Sequence, residues 1–136
     1  MFNKEQILEK IFSKEVYDKL SSYDLCSVVL FGSIVTDEFN EYSDIDIAII
    51  GKESYELDTI LNLEMFFESL LKREIDVVDL KSSNLDFFVK VSILNSYKEV
   101  FSIDNNLELN KYYNEIDKIY KENENFFHFR KVDLLS

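Results

Sequence analysis

Apolar side chains recur near the start of the chain at Ile7, Leu8, Ile11, Phe12, Val16 and Leu20. Those positions share one face of a helix with about 3.6 residues per turn. The pattern predicts a first helix that ends at Ser21 and Ser22. Cys26–Phe31 (CSVVLF) is a short β-branched run that reads as a buried strand. It stops at Gly32-Ser33, and the following SIVTDEF accommodates one or two helical turns. Asp44–Ile50 (DIDIAII) reads as a second strand, closed by Gly51.

Tyr55–Arg73 is expected to be a longer helix whose stripe is Ile60, Leu63, Phe67, Leu70 and Leu71. Ile75–Leu80 (IDVVDL) gives a third strand. Ser83 or Asn84 can cap a further helix with Leu85, Phe88, Val89 and Ile93 inward. Glu99–Ile103 is expected as a short edge strand. Leu107–Asn123 is expected as a last helix carrying Leu109, Tyr112, Tyr113, Ile116, Ile119 and Tyr120 on one side. The pattern does not place the aromatic tail FFHFRKVDLLS. Strands alternating with helices predict one α/β (α+β) domain over residues 1–136, a small mixed sheet backed by helices.

Composition sharpens this picture. There are 2 glycines and no proline, so loops should be short and Gly32 stands out. The net charge of −12 argues against direct binding to a nucleic-acid backbone, which needs clustered Lys and Arg. It suits a divalent cation or a basic protein partner, and also plain solubility. A single cysteine, Cys26, excludes an internal disulfide and reads as a small buried hydrophobe. The single histidine, His128, rules out a His-rich metal site. The charged N-terminal stretch lacks an apolar signal core, and no apolar run approaches membrane-spanning length. A cytoplasmic protein with no membrane contact is the expectation.

Candidate chemistry concentrates between Phe31 and Ile50, where Gly32-Ser33, ten residues and then Asp44-x-Asp46 follow one another. A glycine directly after a strand permits a sharp turn and close approach of a ligand to the backbone. Ser33 would open the next helix, whose N-terminus offers free N–H groups and a partial positive charge to phosphate, with the Ser33 hydroxyl as one more donor. Asp44 and Asp46, two apart on a strand, point to the same side, while Ile45, Ile47 and Ile49 point to the core. Ser43 can steady the turn before them. Two bare carboxylates repel, and a bound Mg²⁺ relieves that repulsion with oxygen ligands. A plain hairpin with exposed acids would not carry so apolar an opposite face. On the third strand Asp76 and Asp79 face opposite ways, so only one can join the pair. Asp76, deeper at the strand start, is the expected third carboxylate, and Asp79 near the exit is the alternative.

This combination resembles the nucleotidyltransferase signature of the DNA polymerase β superfamily. More narrowly, it resembles the minimal nucleotidyltransferase (MNT) proteins that act as antitoxins beside HEPN-domain toxins. The motif covers roughly residues 25–80, and length and element order match over the whole chain. The resemblance implies a polymerase β-like fold and transfer of AMP from ATP, with Mg²⁺, to a tyrosine hydroxyl of a HEPN ribonuclease toxin, which is thereby silenced. It implies that Gly32 and Ser33 hold the triphosphate and that Asp44, Asp46 and Asp76 bind metal. Asp76 would also help deprotonate the acceptor.

Two departures stand out. Ile34, Val35 and Thr36 follow Gly-Ser where relatives often carry a basic residue, and Asp37 replaces a frequent glycine, with Glu38 next. Lys72 and Arg73 could compensate charge, or could simply sit at a helix C-terminus. Competing readings follow from these departures. One is a catalytically weak binding module that neutralises its partner by complex formation. Others are a small-molecule nucleotidyltransferase, for which 136 residues leave little room, and a tRNA-modifying toxin, which the charge disfavours. Phe126, Phe127 and Phe129 could form a partner surface or pack on the core, and assembly as a homo- or hetero-oligomer stays open.

Overall fold

The computed structural model describes residues 1–124. The aromatic tail, with His128, Phe126, Phe127 and Phe129, lies outside the described residues. The elements are α1 (Lys4–Ile11), α2 (Lys14–Ser21), β1 (Ser27–Phe31), a 3-10 turn (Gly32–Val35), β2 (Ile45–Ile50), α3 (Leu57–Leu71), β3 (Ile75–Asp79), α4 (Phe87–Asn95), β4 (Lys98–Ser102) and α5 (Leu107–Glu122). The four strands form one mixed sheet in the order β3-β2-β1-β4. β1 is antiparallel to both β2 and β4, while β2 and β3 are parallel and joined by the α3 crossover.

The expected first helix is two helices. Ser13 separates them, and its side chain caps α2 by accepting from the Val16 N–H. A local cap outcompetes continuation because it satisfies an N–H that a fresh helix start leaves open. Ile7, Ile11, Val16 and Leu20 are nevertheless all buried, so the face was read correctly across the break. α4 also starts later than expected, at Phe87, with Asp86 rather than Ser83 or Asn84 as its cap. Its inward residues are Ile93 and Leu94, while Val89 is exposed. In α5, Leu109 and Ile116 are buried but Ile119 is exposed. β4 begins at Lys98, one residue before the expected strand.

Two apolar layers hold the sheet. On one face Val28, Leu30, Ile45, Ile47, Ile49, Ile75 and Val77 pack under α1, α2 and α3, which contribute Ile11, Leu20, Leu63, Phe67 and Leu71. On the other face Val29, Ala48, Ile50 and Leu80 pack under α4 and α5. The parity of each strand thus decides which layer a side chain joins. The edge of β3 is partly covered, since the Val77 N–H donates to Glu64 Oε2 of α3 at 3.0 Å. Cys26 is buried, and burial followed by the nearby acids Asp104, Glu108 and Asp24 pushes its thiol above the ordinary value. Among the described residues, no helix is long and apolar enough to cross a membrane.

Candidate active site

Strand register builds the site. Phe31 of β1 pairs with Asp46 of β2, and Asp46 pairs with Asp76 of β3. Asp46 and Asp76 therefore stand side by side on the α4/α5 face, one step beyond the Ala48–Val78 pair towards the sheet end. Asp79 has the opposite parity. It is buried and accepts hydrogen bonds from the Tyr55 N–H at 2.7 Å and the Lys81 N–H at 3.0 Å. That carboxylate braces the loops leaving β2 and β3, at the far end from Asp46.

Asp44 lies just before β2 rather than within it, and is exposed. Its loop is nonetheless fixed. Ser43 and Asn40 close a tight turn, with Ser43 Oγ accepting from the Asn40 N–H at 3.1 Å. Arg73 reaches across from the α3–β3 connection, and one of its guanidinium nitrogens donates to the Asn40 and Ser43 carbonyls, both at 2.8 Å. The same guanidinium lies 4.5 Å from the centroid of the Phe39 ring. A further backbone bond, from the Ile45 N–H to the Glu74 carbonyl at 3.1 Å, ties the starts of β2 and β3. The starts of the two acid-bearing strands are thus clamped together.

Gly32 meets this row from the other side. It has φ +76°, and a Cβ built on it would lie 2.2 Å from Asp46 Oδ2. The glycine therefore makes room for the Asp46 carboxylate as well as for the turn. The segment after it is a single 3-10 turn, too short for the full dipole of a long helix. Ser33 caps that turn internally, its carbonyl accepting from the Thr36 N–H and hydroxyl. Ile34 is buried in the core, so the apolar residue after Gly-Ser anchors the turn rather than facing a ligand. Asp37 and Glu38 are exposed.

Electrostatics follow from the crowding. Partial burial, then the charges of Asp76 and Asp44, push the Asp46 carboxyl up to about 6. The exposed Glu74 carboxyl is also raised, first by the Asp44 charge and then by a side-chain hydrogen bond with Asp44. Glu74 escaped the reading of the sequence, although it has the parity of Asp76 two residues on. Arg73 escaped it in its actual role, because a contact across thirty-odd residues leaves no local pattern. Lys72 is the left-handed C-cap of α3, at φ 55°.

Clustered carboxylate oxygens without a countercharge are the donor chemistry that Mg²⁺ takes. Among the described residues, however, no three acidic, His or Cys side chains are already gathered closely enough to hold an ion. The carboxylates have the right chemistry without forming a closed ligand set.

Residues 14–106 match the family model described as Polymerase beta, Nucleotidyltransferase. A supposed protein adenylyltransferase of Methanocaldococcus jannaschii is 33% identical over 86 residues, which cover 63% of this chain and 87% of that protein. Two solved structures share the fold. One is a toxin–antitoxin complex with AMP-PNP, with a chain matching at TM-score 0.70 and 18% identity over 99% of this chain and 100% of that one. The other is a tri-AMPylated Shewanella oneidensis HEPN toxin in complex with its MNT antitoxin, matching at TM-score 0.69 and 19% identity over 96% and 99% of the two chains.

Proposed function

The chain belongs to the polymerase β nucleotidyltransferase family, and on that premise we propose that it transfers AMP from ATP to a tyrosine hydroxyl of a HEPN-domain toxin, acting as that toxin's antitoxin. The observation that carries the reading is the register that sets Asp46 beside Asp76 and against Gly32. Likeness in fold to chains of toxin–antitoxin complexes, one with AMP-PNP and one with an AMPylated HEPN toxin, supports the choice of nucleotide and partner. The relative named for protein adenylylation supports a protein acceptor. The setting this implies is cytoplasmic, with residues 1–136 acting as one unit.

In this mechanism Gly32 lets the triphosphate approach the backbone, and the Ser33 hydroxyl donates to a phosphate oxygen. Asp44, Asp46 and Asp76 are the carboxylates that would hold Mg²⁺. When bound, Mg²⁺ offsets the negative charge on the triphosphate and the attacking oxygen. Asp76, exposed beside Asp46, accepts the proton of the acceptor hydroxyl. The acceptor oxygen then bonds to the α-phosphorus, the bond to the bridging oxygen breaks, and pyrophosphate leaves. Arg73 keeps Asp44 in register through its two carbonyl contacts.

The test is transfer of labelled AMP from ATP with Mg²⁺ to the product of the adjacent gene, read by intact mass. Asp44→Asn with Asp46→Asn should lower transfer by about a hundredfold or more, with the fold unchanged or steadier because repulsion is removed. Undiminished transfer by the double variant sinks the assignment. A second reading, a binding module that neutralises its partner without chemistry, is favoured by the exposed Asp37 and Glu38, which follow the Gly32–Val35 turn with no basic residue between. It expects a tight complex that suppresses the partner with no AMP on either chain.

A further inference from the structure

The two faces of the sheet are clad unequally. Among the described residues, α1, α2 and α3 cover the face of Val28, whereas α4 and α5 cover the face of Val29. Between α4 and α5 this thinner layer opens into a groove of about 1040 Å³. Leu94 of α4 and Ile116 of α5 line it, and both belong to the buried layer beneath. Val91, Tyr113 and Tyr120 continue the apolar wall. An apolar opening of this size marks a binding surface.

Charge narrows the chemistry of the occupant. Asp86, Asp117 and Glu124 border the groove against one cation, Lys121. The Lys121 ammonium already pairs with the Asp117 carboxylate at 3.0 Å. The border is therefore net negative, and its complement is an apolar segment that carries positive charge.

The chain itself supplies such a segment. Glu124 lines the groove, and after Asn125 the sequence continues Phe126, Phe127, His128, Phe129, Arg130, Lys131. Three aromatic rings thus lead into two cations. Reach is sufficient. Chain extends by at most about 3.5 Å per residue, so Phe126 lies within about 7 Å of Glu124 and Phe129 within about 18 Å. The α4 wall from Phe88 to Asn95 rises about 1.5 Å per residue, or about 10 Å in all. Tethering decides between this segment and a separate molecule of the same chemistry. A short link holds the tethered segment at an effective concentration in the millimolar range, above that of a free competitor.

We propose that residues 126–131 seat their phenylalanine rings in the α4–α5 groove of their own chain, with Arg130 and Lys131 answering the acids of its border. The groove is then an interface within one molecule. Each ring withdraws about 150–250 Å² from water there and completes the thinner layer. The proposal stands apart from the transfer reading, since neither the groove nor the segment contains a residue assigned to transfer.

Tryptophan emission in the full chain tests it. The chain has no tryptophan, so Phe127→Trp supplies a single reporter. Ser92→Arg, at an exposed position lining the groove from α4, crowds it and repels the two cations. Ser69→Arg, exposed on α3 across the sheet, controls for added charge. The reporter should emit blue-shifted from free tryptophan, unchanged on dilution. Ser92→Arg should move it to the solvent-exposed position with far-UV circular dichroism retained, and Ser69→Arg should not. In the chain without the reporter, Phe126→Ser with Phe129→Ser should lower the melting temperature by about 5 °C or more. Solvent-exposed emission from the outset, a blue shift that survives Ser92→Arg, or an unchanged melting temperature in the Phe126/Phe129 variant overturns the seat. A blue shift that fades on dilution, as light scattering reports dimer giving way to monomer, makes a second copy the occupant and overturns it as well. So does emission that turns blue only when the product of the adjacent gene is added, which makes that partner the occupant.

Discussion

At Gly32 the left-handed backbone and the contact with Asp46 Oδ2 act on the same atom group. Gly32→Ala should cost about 1–3 kcal/mol in urea denaturation, because a side chain at this φ is strained. AMP transfer should fall further than stability, since Cβ displaces the Asp46 carboxylate. The glycine was legible from the Gly-Ser and Asp-x-Asp spacing, but not its reason, which is a neighbouring carboxylate as much as a ligand. Asp46 itself makes a pH prediction. Its folded value of about 6 lies above its ordinary 3.8. The folded state thus holds that proton more tightly than the unfolded chain. The resulting stabilisation is fully present below about pH 4 and is lost as pH rises towards and through about 6. In metal-free protein, the melting temperature of the unmodified chain relative to Asp46→Asn should therefore fall between those values and level off above them. A flat difference across that range would refute the raised value that burial, and then the Asp76 and Asp44 charges, give Asp46.

Elements were easiest to read where one periodicity ran uninterrupted. β1, β2, α3 and β3 fell within one or two residues of where the pattern placed them, with Asp44 left just outside β2, because each buries a face fixed by a period of two or about 3.6. α1 and α2 were read as one because the apolar stripe runs through Ser13, and a cap is a local hydrogen bond that the stripe does not record. α4 was misplaced for a related reason. Several polar residues precede it, and only the backbone decides that Asp86 caps it. The clamp between the Asp44 loop and the α3–β3 connection was invisible for want of a local signal. Arg73→Gln tests it. Removing two charged hydrogen bonds and the Phe39 contact should destabilise the fold by about 2 kcal/mol in urea denaturation. Its Nε, buried without a hydrogen-bond partner among the described residues, trims that figure. Transfer should drop with Phe39→Leu too, in smaller measure, if the clamp acts through Asp44.

Across the whole molecule, a charge of −12 means that compaction works against self-repulsion. Raising NaCl from about 20 mM to about 500 mM should lift the melting temperature by a few degrees, as screening shortens the reach of that repulsion. A melting temperature that falls with salt would mean that ion pairs outweigh the like charges. The alternation of strands and helices announced a mixed sheet with helical backing, whereas the pairing of β4 with β1 across some seventy residues could not be read locally. That difference in sequence distance has a consequence for biosynthesis. Gly32, Asp44, Asp46, Glu74 and Asp76 all lie in the continuous stretch that forms the β1–β2 hairpin and the β2–α3–β3 crossover. A chain leaving the ribosome has made the whole acidic row before β4 or α5 exists, and these later segments arrive as cladding on a scaffold already paired.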